Sequence, residues 1–214
     1  MVWNYLMEYK EKKKIIGVFQ KYVSKSVAGE ILKKTDEKKI DLKGVEKNIT
    51  TLFADIRGFT ALSEKLSPHE VVEMLNNYLG AMTDAVFEYE GTLDKYVGDC
   101  IMAVFNAPLD QENHELMAVS AALAMQDAIH NVKKLKNKKV PDVACGIGVN
   151  TGPAVVGNIG SEKRLDYTVI GDSVNTASRL CSAAKGNEVI ISDSTYQKIK
   201  DLIVAEKLEP IHVK

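Results

Sequence analysis

Two carboxylates stand where strands would gather charge. Asp55 ends the run Asn48-Ile49-Thr50-Thr51-Leu52-Phe53-Ala54-Asp55-Ile56, which is otherwise mostly apolar or β-branched, and Gly58 follows shortly after. Asp99 tips the turn Val97-Gly98-Asp99 between two apolar runs. Singly, each also reads as a solvated turn residue. Brought together, they repel by roughly 4 kcal/mol at 4 Å and an effective dielectric of 20. A divalent cation removes that cost, and oxygen ligands suit magnesium or manganese. Ile56-Arg57-Gly58-Phe59-Thr60 adds a glycine and free backbone N–H groups at a helix start, a natural phosphate seat. Carboxylates beside an anion seat suggest a metal–triphosphate site. Asn175 and Arg179, four apart on a helix, share a face, and arginine offers a planar fork suited to phosphate. They also read as a plain surface pair. Lys95 precedes Asp99 by four residues, so strand alternation carries both to one side if the strand extends that far. An exposed strand lysine is the alternative.

These residues need elements to hold them. Asn48 to Ile56 reads as a central strand. Ser67-Pro68-His69-Glu70 is a capping box with proline at the first helical position, opening a helix marked by Val71, Leu75, Tyr78, Met82 and Val86, which Gly91 stops. Thr92–Tyr96 and Cys100–Phe105 form a hairpin, followed by a helix over Glu112–Lys134. Val143–Asn150 and Ala154–Ile159 read as a second strand pair turned by Thr151-Gly152-Pro153. A short strand Asp166–Ile170, a helix Ser173–Ala184 capped by Asp172, a strand Glu188–Ile191, a short helix and a β segment complete the chain. The class is α+β, a mixed sheet with surrounding helices. Glu8 to Lys34 carries a helical apolar stripe that needs a partner surface, and Lys33 to Lys47 reads as a charged linker, giving residues 1–47 as helix plus linker and 48–214 as the main domain. The ending at Ile211-His212-Val213-Lys214 looks like the middle of a strand, as in a piece of a longer protein.

A net charge of -1 exerts no overall pull on nucleic acid or an anionic membrane, so any anion site is local. Cys100, Cys145 and Cys181 are an odd set without metal-type spacing, in apolar stretches, which predicts buried reduced thiols and a reducing, cytoplasmic compartment. No apolar run reaches the roughly 20 residues a bilayer span needs. His114 and His130 read as surface or satisfied residues rather than ligands.

Four segments together resemble the signatures of the class III nucleotidyl cyclases: Phe53-Ala54-Asp55-Ile56-Arg57-Gly58-Phe59-Thr60, Lys95-Tyr96-Val97-Gly98-Asp99, Gly146-Ile147-Gly148-Val149-Asn150-Thr151-Gly152, and Asp166 through Leu180. The likeness runs in order from about Asn48 to the C-terminus. It implies a ferredoxin-like palm sheet and two catalytic domains paired head to tail. It further implies that Asp55, Asp99 and the Ile56 carbonyl hold two divalent cations, Mg2+ or Mn2+, over the triphosphate of ATP. Asn175 would orient the ribose and Arg179 would stabilise charge on the α-phosphoryl group. Lys95 would meet adenine N1 and Thr168 the exocyclic amine, from the other subunit; guanylyl cyclases usually carry an acidic residue and a cysteine there. Thr168 replaces the aspartate of many cyclases and resembles the bicarbonate-responsive branch, implying bicarbonate as an activator. Lys163 and Arg164 resemble basic triphosphate contacts, and Lys214 a lysine that closes over the triphosphate. A guanylyl cyclase is the nearest alternative reading and a silent nucleotide-binding dimerisation module the next. A polymerase palm would need a basic template groove and a diguanylate cyclase a glycine-glycine-acidic-acidic-phenylalanine turn, and neither is evident.

Overall fold

Alternation along one strand divides the molecule. In β1 (Val45–Ile56), Leu52, Ala54 and Ile56 enter a helix-covered core, while Phe53 packs into a second, smaller cluster on the opposite side, the side Asp55 shares. The computed structural model describes residues 44–135, 141–161 and 164–210. β1 is flanked by β3 (Cys100–Phe105) and β4 (Cys145–Ser161), both antiparallel to it. β2 (Thr92–Val97) pairs with β3, β5 (Arg164–Ile170) with the far end of β4, and β6 (Glu188–Ile191) runs parallel to the start of β4. The order β2-β3-β1-β4-β5, with its mixed pairing and helices, is the expected α+β sheet.

Helices α2 (Pro68–Glu88) and α3 (His114–Leu135) cover one face. Met74, Tyr78, Met82 and Val86 of α2, with Ala122, Met125 and Ile129 of α3, close over Leu52, Ile101, Phe105 and Ile147. Each large side chain removed from water there contributes about 1.5–3 kcal/mol. The capping box forms as the sequence predicts: the Ser67 hydroxyl accepts from the Glu70 N–H, and Glu70 accepts from the Ser67 N–H at 2.8 Å. The C-terminal stop differs in detail. Glu90, at φ 59, takes the left-handed turn, and the Gly91 N–H donates to Val86 at 2.8 Å. Gly91 is glycine because a Cβ there would meet Phe105 and Val86 at 2.7 Å.

A chain of polar side chains is matched inside this core. Thr50 Oγ1 shares 2.8 Å hydrogen bonds with His114 Nδ1 and with Thr151 Oγ1, which lies 3.0 Å from Thr195 on α5 (Asp193–Ile199). His114 is thus a satisfied core histidine.

Three expectations are corrected. Thr151-Gly152-Pro153 is not a turn: β4 is one 17-residue strand paired to β1 from Val45↔Val156 to Ile56↔Cys145. Pro153 is tolerated because Asn150 to Ala154 lies between the end of β6 pairing at Val149 and the start of β5 pairing at Val155, a stretch where that edge carries no strand. Val45 to Lys47, assigned to the linker, are the first residues of β1. Asp172 does not cap α4 (Asp172–Ala183); Gly171 occupies that position in extended backbone, without a side-chain bond. The stripe Glu8–Lys34 and the ending Ile211–Lys214 lie outside the described residues.

Candidate active site

The other face of the sheet is built around glycine. Gly146, Gly148 and Gly152 lie two or four residues apart on β4 and so point to one side. A Cβ on Gly148 would fall on the backbone of Ala177 and Cys181, and one on Gly152 would meet the Ser173 Cβ at 2.8 Å. The glycines let α4 lie directly on the strand, with Val174, Ala177, Leu180 and Cys181 inward. Asn150 Nδ2 donates to the Ser173 carbonyl at 2.7 Å and fixes the helix start. Asn175 is left exposed and Arg179 half-buried. Neither side chain is hydrogen-bonded or ion-paired to another described residue, so both have free polar groups for a ligand.

Asp55 lies opposite Cys100 on β3 and Gly146 on β4, at the end of the sheet where the β2–β3 turn carries Asp99. Strand β2 stops at Val97, so alternation does not reach Asp99; the turn, with Gly98 at φ 64, sets its direction. Asp99 feels Asp55: burial raises its carboxyl above the usual range, the nearby Asp55 charge adds to that, and its own backbone N–H and Arg57 oppose it. The two acids therefore lie near enough at this end of the sheet to feel one another's charge. Among the described residues no group of three or more His, Cys, Asp or Glu forms a metal cage. Two carboxylates are the side-chain oxygens this corner offers, a set that fits magnesium-type ions taking their remaining ligands from phosphate and water. Ile56 is anchored by a side chain 1% exposed, which holds its backbone in place beside Asp55.

Arg57 was absent from the expected site and is part of its frame. Its Nη1 donates to Asp55 Oδ2 at 2.7 Å, and its Nη2 donates to the Cys181 carbonyl on α4. Glycine at 146 leaves the guanidinium this place, since a Cβ there would meet it and push it aside. One guanidinium against two carboxylates still leaves net negative charge. Gly58, at φ 71, begins the five-residue helix α1 (Phe59–Ser63) without a side-chain cap. Its first N–H groups, those of Phe59 and Thr60 included, lack intrahelical partners, but so short a helix offers single donors more than a dipole.

Lys95 and Thr168 meet at a residue the sequence reading passed over. The register of β2 shifts between Leu93 and Lys95, leaving Asp94 as a bulge. Thr168 Oγ1 donates to Asp94 Oδ2 at 2.9 Å, and Lys95 Nζ lies 3.3 Å from the same oxygen. The Asp94 side chain is 4% exposed, and Thr168 is buried. Burial pushes the Asp94 carboxyl up, while Lys95 and Thr168 pull it back. Arg164 is exposed on β5, with Nε 4.0 Å from Asp166. Lys163 and Lys214 lie outside the described residues. All three cysteines are free thiols, with Cys145 and Cys181 buried.

Residues 42–214 match the family model described as adenylate and guanylate cyclase catalytic domain. The chain is 39% identical over 160 residues to an adenylate cyclase of Anabaena cylindrica, covering 72% of this chain and 31% of that protein. It spans between 24% and 31% of the length of the first curated relatives it matches. Among solved structures it resembles the adenylyl cyclase CyaB from P. aeruginosa, with TM-score 0.71 and 42% identity over 76% of this chain and 85% of that one. It also resembles the guanylyl cyclase Cya2, with TM-score 0.75 and 40% identity over 81% and 90%.

Proposed function

Since the chain belongs to the adenylate and guanylate cyclase catalytic domain family, we propose that it converts ATP to 3′,5′-cyclic AMP and pyrophosphate, in sites shared between two copies of itself. Likeness to both adenylyl and guanylyl cyclases leaves the base open, so the choice rests on one observation. Lys95 and Thr168, far apart in sequence, converge on a single buried carboxylate. The ammonium is a donor and suits adenine N1; the hydroxyl oxygen suits the exocyclic amine.

Asp55 and Asp99, with the Ile56 carbonyl, are the residues that would hold two divalent cations. Bound there, magnesium or manganese supplies the charge that acidifies the ribose 3′-hydroxyl and neutralises the triphosphate. Arg57 keeps Asp55 turned toward the site. Asn175 orients the ribose. Arg179, without a side-chain partner among the described residues, stabilises negative charge on the α-phosphoryl group as pyrophosphate leaves, where the largest rate effects usually lie. The N–H groups at Gly58, Phe59 and Thr60, together with Lys163, Arg164 and Lys214, are the candidate contacts to the remaining phosphates. No side-chain base is needed, because phosphoryl transfer asks mainly for positioning and charge neutralisation.

Exposed apolar groups support pairing of two chains. Val97 and Ile170, two residues beyond Lys95 and Thr168 on their strands, are 58% and 55% exposed beside the base-reading cluster. A head-to-tail homodimer covers them and sets the Lys95–Thr168 pair of one chain against the acids of the other, giving two equivalent sites. Free thiols and an ATP substrate suit the cytoplasm. No helix among the described residues is long and apolar enough to cross a membrane. Thr168 in place of aspartate also favours bicarbonate as an activator. Equal rates in bicarbonate and chloride at constant pH would remove that element alone.

Cyclic nucleotide production from ATP and from GTP, with magnesium and then manganese and over a range of protein concentrations, tests the reading. Faster ATP turnover, with specific activity rising with concentration, is expected. Faster GTP turnover would make this a guanylyl cyclase, and no turnover of either would leave a silent module.

A further inference from the structure

The bulge at Asp94 has a consequence for which purine the site accepts. Thr168 carries one hydroxyl proton, and Asp94 Oδ2 lies 2.9 Å away to receive it. An ionised carboxylate only accepts. While that bond holds, Thr168 Oγ1 has only lone pairs left to offer a ligand. Lys95, whose Nζ is 3.3 Å from the same oxygen, is drawn to the same point and has protons to spare.

We propose that Asp94 is the residue that makes this pocket select adenine: by holding the Thr168 proton it turns an ambivalent hydroxyl into a fixed acceptor beside a fixed donor. Adenine offers an amine and a bare N1, the matching pair. Guanine offers O6 and an N1–H, so it faces an acceptor with an acceptor and a donor with a donor. Without Asp94 the hydroxyl is free to rotate and donate to O6. Asp94 touches no substrate; it is a positioning residue that acts through Thr168. The placement follows from the bulge, since regular alternation would turn the side chains of Asp94 and Lys95 to opposite faces. The inference rests on the reading of Lys95 and Thr168 as base contacts.

The test compares kcat/KM for ATP and GTP in the full chain, in the parent protein and in Asp94→Ala, Thr168→Val and the double variant. Asp94→Ala is expected to lower the ATP/GTP ratio about tenfold or more, because a mispaired buried polar group is what rejects the wrong base. In the Thr168→Val background the same change should leave the ratio where it was. An equal fall for both nucleotides, or an equal fall in ratio with and without the Thr168 hydroxyl, overturns the proposal. If Asp94→Ala does not fold, Thr168→Val decides: a collapsed ratio supports the proposal and an unchanged one overturns it. A parent protein that prefers GTP defeats the adenylyl cyclase reading itself, whatever the variants do.

Discussion

The two chemical centres on this face of the sheet are finished to different degrees. At the Asp55–Asp99 corner, two carboxylates share one guanidinium, and Asp99 is held above its ordinary titration range by burial, with the Asp55 charge adding to it. Nothing among the described residues balances that charge fully, which fits the proposal that cations and phosphate complete the corner. At the Lys95–Thr168 corner, by contrast, Asp94 already engages both side chains. In the proposed reading, one centre waits for the positive charge its ligands bring, while the other is assembled in advance and asks only whether the base fits. On that reading, catalytic power and base selectivity fall to separate side-chain clusters on the same sheet face, and they should respond to mutation independently.

The strongest way to break that contrast is at the acidic corner. Asp55→Ala should reduce cyclase turnover on the order of a thousandfold, for ATP and GTP alike, with the far-UV circular dichroism unchanged. If its ATP/GTP ratio moves as much as its rate, the two centres are not separate. Arg179→Ala should cost about a hundredfold in kcat with little change in KM, because the group acts on charge that develops as pyrophosphate leaves. Gly148→Ala probes the frame both centres share. Its Cβ falls on the α4 backbone, so urea denaturation should show a loss of about 1–3 kcal/mol with lower activity toward both nucleotides.

Acidity should blunt selectivity and sharpen the comparison from the other side. Burial raises the Asp94 carboxyl and the Asp166 charge adds to it, against Lys95 and the Thr168 hydroxyl, which hold it ionised. As pH falls through its pKa, which lies above the ordinary carboxylate range, Asp94 gains a proton and no longer holds the Thr168 hydroxyl as an acceptor. The ATP/GTP ratio should therefore narrow toward acid pH in the parent protein and stay flat in Thr168→Val. The smallest effect lies farthest from either centre: Ser67→Ala removes the α2 cap and should cost about 1 kcal/mol in stability with kcat unaltered.

How much of this could be read from the residues follows the same division. The Asn175–Arg179 face was legible because period-3.6 arithmetic carries it, and Asp55 because it stands at the end of an apolar strand. Asp99 showed only as a turn residue, and the glycines at 146, 148 and 152 only within the family signature. The capping box at Ser67 formed because its signal is wholly local. Thr151-Gly152-Pro153 misled because turn-forming residues lie inside a strand whose neighbours leave a gap at that level, which only the sheet order reveals. Asp94 was invisible for a related reason. A one-residue bulge reverses alternation, and nothing in Leu93-Asp94-Lys95 announces it. Arg57 stood inside a recognised motif, yet it lies one residue beyond the end of β1, so strand alternation alone did not pair it with Asp55.

Mixing two inactive proteins tests the shared site most directly. Asp55→Ala lacks an acid and Lys95→Ala lacks the base reader, so in a two-fold dimer of one with the other a single site keeps both. Random exchange of equal amounts should restore about a quarter of parental cyclic AMP production, one intact site in half the dimers. No recovery, when differently tagged chains are seen to co-purify, would contradict the claim that acids and base reader come from different subunits.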